Sequence, residues 1–408
     1  MADNNENKVL NVPHLRFPEF SGEWKRVELK DVAEFQKSRI PADSLDASCY
    51  ISTENLIPNF GGIKEASSIP TDGNVMAIKP NDILISNIRP YLKKVWQSDR
   101  FGGCSADVFV LRTTGCQSDF LYNIIASDKF INYAMSGAKG VKMPRGDKRQ
   151  MEEFEFSIPA IEEQNRISRL LSLLDERIAT QNKIIEDLKL LKSAICEKLF
   201  CSPKDKQPKV RLHGFSNYWN FVRLSDICHR IRRKNTEEQC KRVLTIAAQY
   251  GLVSQEEFFN KNVASEDLSG YYLLQNGDFA YNKSYSGDYV WGTVKRLDNY
   301  EQGVLSPLYI CFCPDSAKVD SDFLVYYFES KKWHKAVADI AGEGARNHGL
   351  LNISVIDYFN TIHCIPSMDE QKQIAQIMSA LLSKIAREQR MLNCYTTQRQ
   401  YLLRQMFI

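Results

Sequence analysis

The sequence predicts an α+β protein with all-α connectors: two globular domains joined by two long helices that pair as an antiparallel coiled coil. Three observations carry that expectation. A segment that opens the first half of the chain returns in the second, a helix start that closes each half returns as well, and both helix starts lead into apolar heptads. The halves are thereby related as an internal pseudo-twofold repeat.

The opening segment is Arg16-Phe-Pro-Glu-Phe-Ser-Gly-Glu-Trp24, followed by Val27, Leu29 and Asp31. About 195 residues later stands Arg211-Leu-His-Gly-Phe-Ser-Asn-Tyr-Trp219, followed by Val222, Leu224 and Asp226. The closing segment Ile158-Pro-Ala-Ile-Glu-Glu-Gln164 reappears about 207 residues on as Ile365-Pro-Ser-Met-Asp-Glu-Gln371. The unequal offsets mean fixed ends around a variable stretch. A duplicated scaffold with two unlike inserts suits a protein that reads two different things. Trp24 and Trp219 are expected to be core aromatics closing each unit.

Of 408 residues, 43% are hydrophobic and 25% charged, the balance of an ordinary soluble protein. No apolar run is long enough to span a bilayer and the N-terminus has no signal-peptide core, so a cytoplasmic protein without membrane contact is expected. The 11 cysteines are scattered with no Cys-x-x-Cys pair, which points to reduced, packed thiols and to no metal site. Net charge is +3, so a nucleic-acid surface has to come from local segregation, as in Arg230-Ile-Arg-Arg-Lys234 or Arg145-Gly-Asp-Lys-Arg149.

Each Ile-Pro segment opens a helix, with proline just before the start and acidic residues in the first turn, where they complement the helix dipole. Ile167, Leu174, Leu188 and Ile195 then occupy one core position of a heptad, and Leu171, Ile178, Ile185 and Leu199 the other. The second copy places Ile374, Leu381, Tyr395 and Leu402, then Met378, Ile385, Leu392 and Met406, in the same way. Both seams are interrupted at matching places, by Gln181 and Glu388 and by Lys192 and Arg399. One antiparallel register sets Lys192 against Glu388 and Gln181 against Arg399, and layers Leu174 on Met406 and Ile178 on Leu402. Buried polar pairs of this kind fix register. The competing arrangement has each helix burying its stripe in its own domain.

The predicted boundaries are a flexible N-terminal arm at 1–14, a first globular unit at 15–157, a helical spacer at 158–203, a second unit at 208–364 and a second spacer at 365–408. Strands are expected at Asp82–Ser86, Asp107–Leu111, Asp278–Asn282 and Leu308–Phe312, with short helices at Asp119–Ser127 and Asp322–Lys332. In each unit a loop crowded with hydrogen-bonding groups follows an Asp-led strand. The first carries Ser86, Asn87, Arg89, Tyr91 and Lys93, and the second Asn282, Lys283, Ser284 and Tyr285. Arg and Lys suit guanine edges or phosphates, Asn suits adenine, and Ser and Tyr serve either role. A later glycine-containing loop supplies Lys142, Arg145, Lys148 and Arg149 in the first unit and Arg346, Asn347 and His348 in the second. Its glycines allow close backbone approach and its cations reach phosphates.

The duplicated Phe-Ser-x-x-Trp segment, the run Asn81-Asp-Ile-Leu-Ile-Ser-Asn-Ile-Arg-Pro-Tyr-Leu-Lys-Lys94, its counterpart Gly277-Asp-Phe-Ala-Tyr-Asn-Lys-Ser284 and the Ile-Pro-x-x-x-Glu-Gln helix starts carry a resemblance. Over essentially its whole length the chain resembles the DNA-specificity subunits of type I restriction-modification enzymes. The resemblance implies two target-recognition domains, each reading half of a split, asymmetric site in double-stranded DNA, and helices that set the gap and bind two methyltransferase subunits. It implies no cofactor and no catalytic residue in this chain. S-adenosylmethionine, ATP and Mg are implied in the partner methyltransferase and in restriction subunits that translocate and cleave DNA. The second unit departs from the first, with Lys283-Ser-Tyr-Ser-Gly where the first has Ile88-Arg-Pro-Tyr-Leu. The two loops are therefore expected to present different side chains.

The acidic pattern Pro314-Asp315 with Glu329-Ser-Lys331 loosely fits Mg-dependent nucleases and offers a competing catalytic reading. Chance supplies that pattern often. No methyltransferase Asn-Pro-Pro-aromatic motif, glycine-rich cofactor loop or Walker sequence is present. The other competing class is a free-standing DNA-binding scaffold that self-associates through its helices.

Overall fold

The structure, a computed structural model, describes residues 10–247, 250–259, 267–284, 289–341 and 350–408. The chain divides into two compact units, Met1–Asn182 with Arg390–Ile408, and Lys183–Gln389. No helix among the described residues is long and apolar enough to cross a membrane.

In the first unit the strand Lys25–Glu28 runs antiparallel to Glu155–Ile158, so the two ends of the domain are zipped together. A four-stranded sheet follows in the order Ala33–Phe35, Val108–Thr113, Ile83–Ser86, Val95–Gln97, with every pair antiparallel. Its central strand is buried at all four positions because both faces are covered. Ile83 and Ile85 join the cluster of Trp24, Phe120 and Phe130, while Leu84 joins Ile51, Ile78, Val108 and Val110 on the opposite face. A continuous apolar run is what a strand buried on both sides requires. A second sheet, Arg39–Pro41, Asn74–Ile78, Gly102–Cys104 and Tyr50–Ile51, lies beyond that opposite face and supplies Ile51, Ile78 and Cys104 to it.

The second unit repeats the plan. Asn220–Arg223 pairs with Ile362–Ile365, and Cys228–Arg230, Ile310–Pro314, Phe279–Asn282 and Thr293–Arg296 form the matching sheet. Phe279 and Tyr281 face one cluster and Ala280 the other. The helices Ser118–Ile125 and Ser321–Glu329 occupy equivalent places, and Trp24 and Trp219 meet Phe120 and Phe323 edge-on at 6.0 and 6.3 Å.

The repeated motifs meet in one joint per unit. Arg16 forks onto buried Glu163 with both nitrogen–oxygen distances at 2.7 Å, and Arg211 forks onto buried Glu370 at 2.9 and 2.7 Å. The next residue, Gln164, accepts from the backbone N–H of Gln117 at 2.9 Å and donates to the Pro159 carbonyl at 2.9 Å. Gln371 accepts from the Asp320 N–H at 2.8 Å and donates to the Pro366 carbonyl at 3.0 Å. Gln117 and Asp320 are themselves the N-caps of the short helices. The Glu-Gln pair thus joins the opening segment, a helix cap and the start of the long helix.

The long helices are Ile161–Leu199 and Met368–Met406, each of 39 residues, roughly 58 Å at 1.5 Å per residue. In the first unit Ile167 and Leu171 pack with Leu402, Leu403 and Met406, and Phe407 lies 5.1 Å from Phe120. Arg177 lies 6.0 Å from the Tyr395 ring and Arg399 pairs with Asp175. Residue numbers fall in one helix as they rise in the other, so the pairing is antiparallel. In the second unit Ile195 and Phe200 share a cluster with Ile374, Met378 and Leu382, again end against start.

Two expectations are corrected. Met406 packs with Ile167 and Leu171 where Leu174 was predicted, and Arg399 meets Asp175 where Gln181 was predicted, so the register differs by about one heptad. A slip of seven residues leaves an apolar heptad pattern unchanged, and the pattern alone does not choose between the two. Lys192 binds Glu329 at 2.7 Å, and Glu388 takes Lys384 of its own helix at 3.0 Å. Pairing with the domain at the edge of the seam keeps the lysine partly hydrated and avoids the desolvation that a lysine–glutamate pair across the core incurs. The described part of the predicted flexible arm is also tied down. Asn11 bonds the Trp24 backbone as donor and acceptor and accepts from the Ser157 hydroxyl at 3.1 Å.

Replacing Gln164 or Gln371 with alanine strands one buried N–H and one buried carbonyl, and each variant is expected to lose about 2 kcal/mol in urea unfolding. A pH effect follows from His363, whose ring lies between the Tyr327 hydroxyl at 3.0 Å and the Thr361 hydroxyl at 2.8 Å. Burial pushes it down to about 4 from an ordinary 6.5. The unfolded chain therefore binds a proton before the folded one does. Stability falls as pH drops through that window, by up to about 3 kcal/mol, and the loss levels off below it. His363→Phe, the residue found at the matching strand position Phe156, is expected to flatten that part of the stability profile.

Candidate nucleic-acid interface

Each loop begins at the end of the buried central strand, and a buried aspartate sets its starting level. Asp82, 1% exposed, accepts from the Lys79 N–H at 2.8 Å and receives a fork from Arg112 with both distances at 2.7 Å. Asp278 accepts from the Gln275 N–H at 2.6 Å and pairs with Arg233. Burial pushes the Asp278 carboxyl up, opposed by that N–H and by Arg233. Arg112 carried no signal of its own in the sequence, and Arg233, expected there as part of the basic run Arg230-Ile-Arg-Arg-Lys234, is instead committed to Asp278. The available signal was the duplicated aspartate heading an apolar strand, since a buried carboxylate needs a cation.

In the first unit the loop makes two left-handed residues, Arg89 at φ 52° and Lys93 at φ 55°, around the turn Pro90–Leu92. The predicted second loop folds directly onto it. Ile88 bridges Arg145, the Arg89 N–H donates to the Pro144 carbonyl at 2.8 Å, and the Gly146 N–H donates to the Asn87 carbonyl at 3.0 Å. Two segments about fifty residues apart in sequence therefore form one surface. Asn87 Oδ1 and Arg89 Nε are buried atoms without a protein partner, and the Tyr91 side chain is 48% exposed beside them.

The cations differ in availability. Lys142 and Arg149 are exposed, Arg145 is paired with Asp107 at 3.1 Å but remains largely in water, and Lys93 is paired with Asp128 at 2.7 Å. Two predicted contact residues serve the scaffold instead. Ser86 is buried with its hydroxyl donating to the Ile88 carbonyl at 2.9 Å, because strand pleating turns it inward. The Lys148 ammonium sits 4.7 Å from the Phe109 ring and 5.4 Å from that of Phe35, a cation–π position that holds it to the domain.

The second unit brings its two loops together at the same place. Ser284 bridges Leu350, and the Leu351 N–H donates to the Lys283 carbonyl at 2.9 Å. Asn282 is turned back to accept from the Ser284 N–H at 2.9 Å. Gly292 closes the site at φ 78°, where a Cβ would meet the Asn282 carbonyl at 2.2 Å, so only glycine fits. Tyr285, Arg346, Asn347 and His348 lie outside the described residues. The acidic residues of the nuclease-like pattern have separate partners. Asp315 accepts from the Ala317 N–H and pairs with Lys318, while Glu329 pairs with Lys192 and Lys295. No metal-holding group of acids, histidines or cysteines is found among the described residues.

Residues 21–190 match the family described as the type I restriction modification DNA specificity domain. The chain is 25% identical over 411 aligned residues to the type I restriction enzyme MjaVIII specificity subunit of Methanocaldococcus jannaschii, covering 92% of this chain and 89% of that one. Its fold is shared with the S subunit of a type I restriction-modification system from M. genitalium, at a TM-score of 0.58 and 16% identity, over 97% of this chain and 99% of that one. A chain from a structure concerned with complex assembly and conformational transition of the type I R-M system matches at a TM-score of 0.53 and 18% identity, over 93% and 96%. The match to the DNA specificity domain covers a little under half of the chain, and the shared fold extends over both units. Over nearly its whole length the chain is similar to a protein named a type I restriction enzyme specificity subunit.

Asp82→Asn removes the charge that anchors Arg112 while keeping the shape, and is expected to lower stability by about 2 kcal/mol in denaturant unfolding. Limited proteolysis is expected to cut near residue 89 earlier in that variant than in the parent protein.

Proposed function

We propose that this chain is a specificity subunit whose two domains each read one half of a bipartite, asymmetric site in double-stranded DNA, with the long helices setting the gap and docking methyltransferase subunits. One observation carries the reading most: two paired-loop surfaces, Ile88 with Arg145 and Ser284 with Leu350, stand at equivalent places on a duplicated scaffold yet differ in side chains. Equal scaffolds with unequal loops suit two unlike half-sites. Asn87, Arg89 and Tyr91 in the first domain, and Lys283, Ser284 and Tyr285 in the second, are assigned to bases. Lys93, Lys142, Arg145, Arg149, Arg346, Asn347 and His348 are assigned mainly to backbone, which supplies affinity without sequence information.

The chain itself carries out no chemistry in this reading. Methylation with S-adenosylmethionine, and ATP- and Mg-dependent translocation and cleavage, belong to partner subunits in the cytoplasm. Support comes from the relatives, which are named specificity subunits, and from the type I R-M complex assembly concerned in one structural neighbour.

Exchange of residues 82–150 for those of another family member is expected to change one half-site and leave the other, as mapped by methylation-sensitive sequencing of DNA from cells carrying the chimaera. Alteration of both halves, or of neither, contradicts the assignment. Co-purification with a methyltransferase checks the partner, and a chain that self-associates without one points to a free-standing scaffold.

A further inference from the structure

Residues 139–145 form a closed hairpin. The Lys139 N–H donates to the Arg145 carbonyl and the Arg145 N–H to the Lys139 carbonyl, both at 2.9 Å. Gly140 turns the chain at φ 98°. The base is held from outside as well, by the Ile88–Arg145 bridge, by the bond from Arg89 to the Pro144 carbonyl and by the Arg145–Asp107 pair. At the tip of this braced hairpin Val141 is 102% exposed, the highest value among the exposed large hydrophobic residues described, and Met143 is 49% exposed, with exposed Lys142 between them. Neither tip residue belongs to a core cluster, so the domain gains no packing from them.

Isolated apolar residues at a surface are common, but the charge around this tip narrows what can cover it. Residues 137–149 contain the five cations Lys139, Lys142, Arg145, Lys148 and Arg149 against the single acid Asp147. Lys139 is paired with Asp147, Arg145 with Asp107, and Lys148 lies against aromatic rings, which leaves exposed Lys142 and Arg149 as the charge that favours a polyanion. The hairpin is joined edge to edge with the loop of Asn87, Arg89 and Tyr91, so a duplex lying on that loop meets the tip too. Apolar side chains on a cationic support are suited to prise apart a base step while flanking cations hold phosphates.

We propose that Val141 and Met143 are an apolar wedge that enters the stack of the half-site read by the first domain, with Lys142 on the adjacent phosphate. This rests on the DNA-reading function proposed above. The test uses the full-length protein, together with any methyltransferase that co-purifies, and duplexes of the mapped site carrying 2-aminopurine at successive positions of that half-site. The parent protein is expected to raise fluorescence several-fold at one step. Val141→Ser with Met143→Ser is expected to abolish that rise and weaken binding about 10- to 100-fold with the salt dependence unchanged. Lys142→Ala is expected to keep the rise and lower the slope of log K against log salt by about one.

A serine double variant with unaltered affinity and fluorescence overturns the wedge, as does weaker binding by that variant when the parent itself gives no rise at any step. Loss of binding to phosphatidylserine vesicles in that variant, with DNA binding intact, overturns it in favour of a membrane surface. A parent protein with no sequence preference overturns the DNA-reading function itself, an outcome distinct from a selective parent matched by its variant. Both residues point into water, so a thermal melt equal to the parent's shows that the fold is not the cause.

Discussion

The structure depends on one buried joint, present twice. A glutamate at the start of each long helix is taken out of water and matched by an arginine from the opening segment, Arg16 on Glu163 and Arg211 on Glu370. Paired and forked, such a carboxylate is tolerable inside a protein; alone it is not. The adjacent glutamine spends both ends of its amide on backbone groups that would otherwise be orphaned. Because the arginine, the N-cap residue of the short helix and the Glu-Gln pair come from distant parts of the sequence, the joint fixes where the domain begins, where its short helix starts and where its long helix departs.

The loops inherit their precision from that frame and from the central strands. In a strand apolar on both faces the pattern alone does not forbid a slip of one residue, which only exchanges the two apolar faces. Asp82 and Asp278 add a lock at the head of each strand, through one backbone N–H and one arginine apiece. The variable side chains are therefore displayed from a rigid edge. In the first domain further rigidity comes from joining the two loops by backbone bonds, so that side chains can differ between domains without loss of the platform.

Much of this was legible in the residues. The duplicated motifs gave the plan, and the apolar runs gave strands at Ile83–Ser86, Val108–Thr113, Phe279–Asn282 and Ile310–Pro314. The heptads gave the helices, and the polar interruptions of the seams suggested opposed directions, but the register was not fixed, because an apolar repeat of seven is blind to a shift of seven. Charged residues misled for a related reason. Lys192 was set against Glu388 and Arg399 against Gln181 across the seam, whereas they meet Glu329 and Asp175. Ser86 belonged to a polar-looking run, yet the pleat turned it inward. The partners of Arg112 and Arg233 were hidden because the carboxylates they serve lie 30 and 45 positions away along the chain, and Arg233 read instead as part of a basic run.

Phe407 packs on Phe120 in the first unit, as Phe200 packs on Phe323 in the second. The second unit is one continuous stretch, Lys183–Gln389, while the first needs Arg390–Ile408 as well. During synthesis on the ribosome, the first unit has all its residues only once Arg390–Ile408 are made, after the whole of the second unit. The later half thus has all its parts first, so the order in which the units are complete in sequence reverses the order in which they begin.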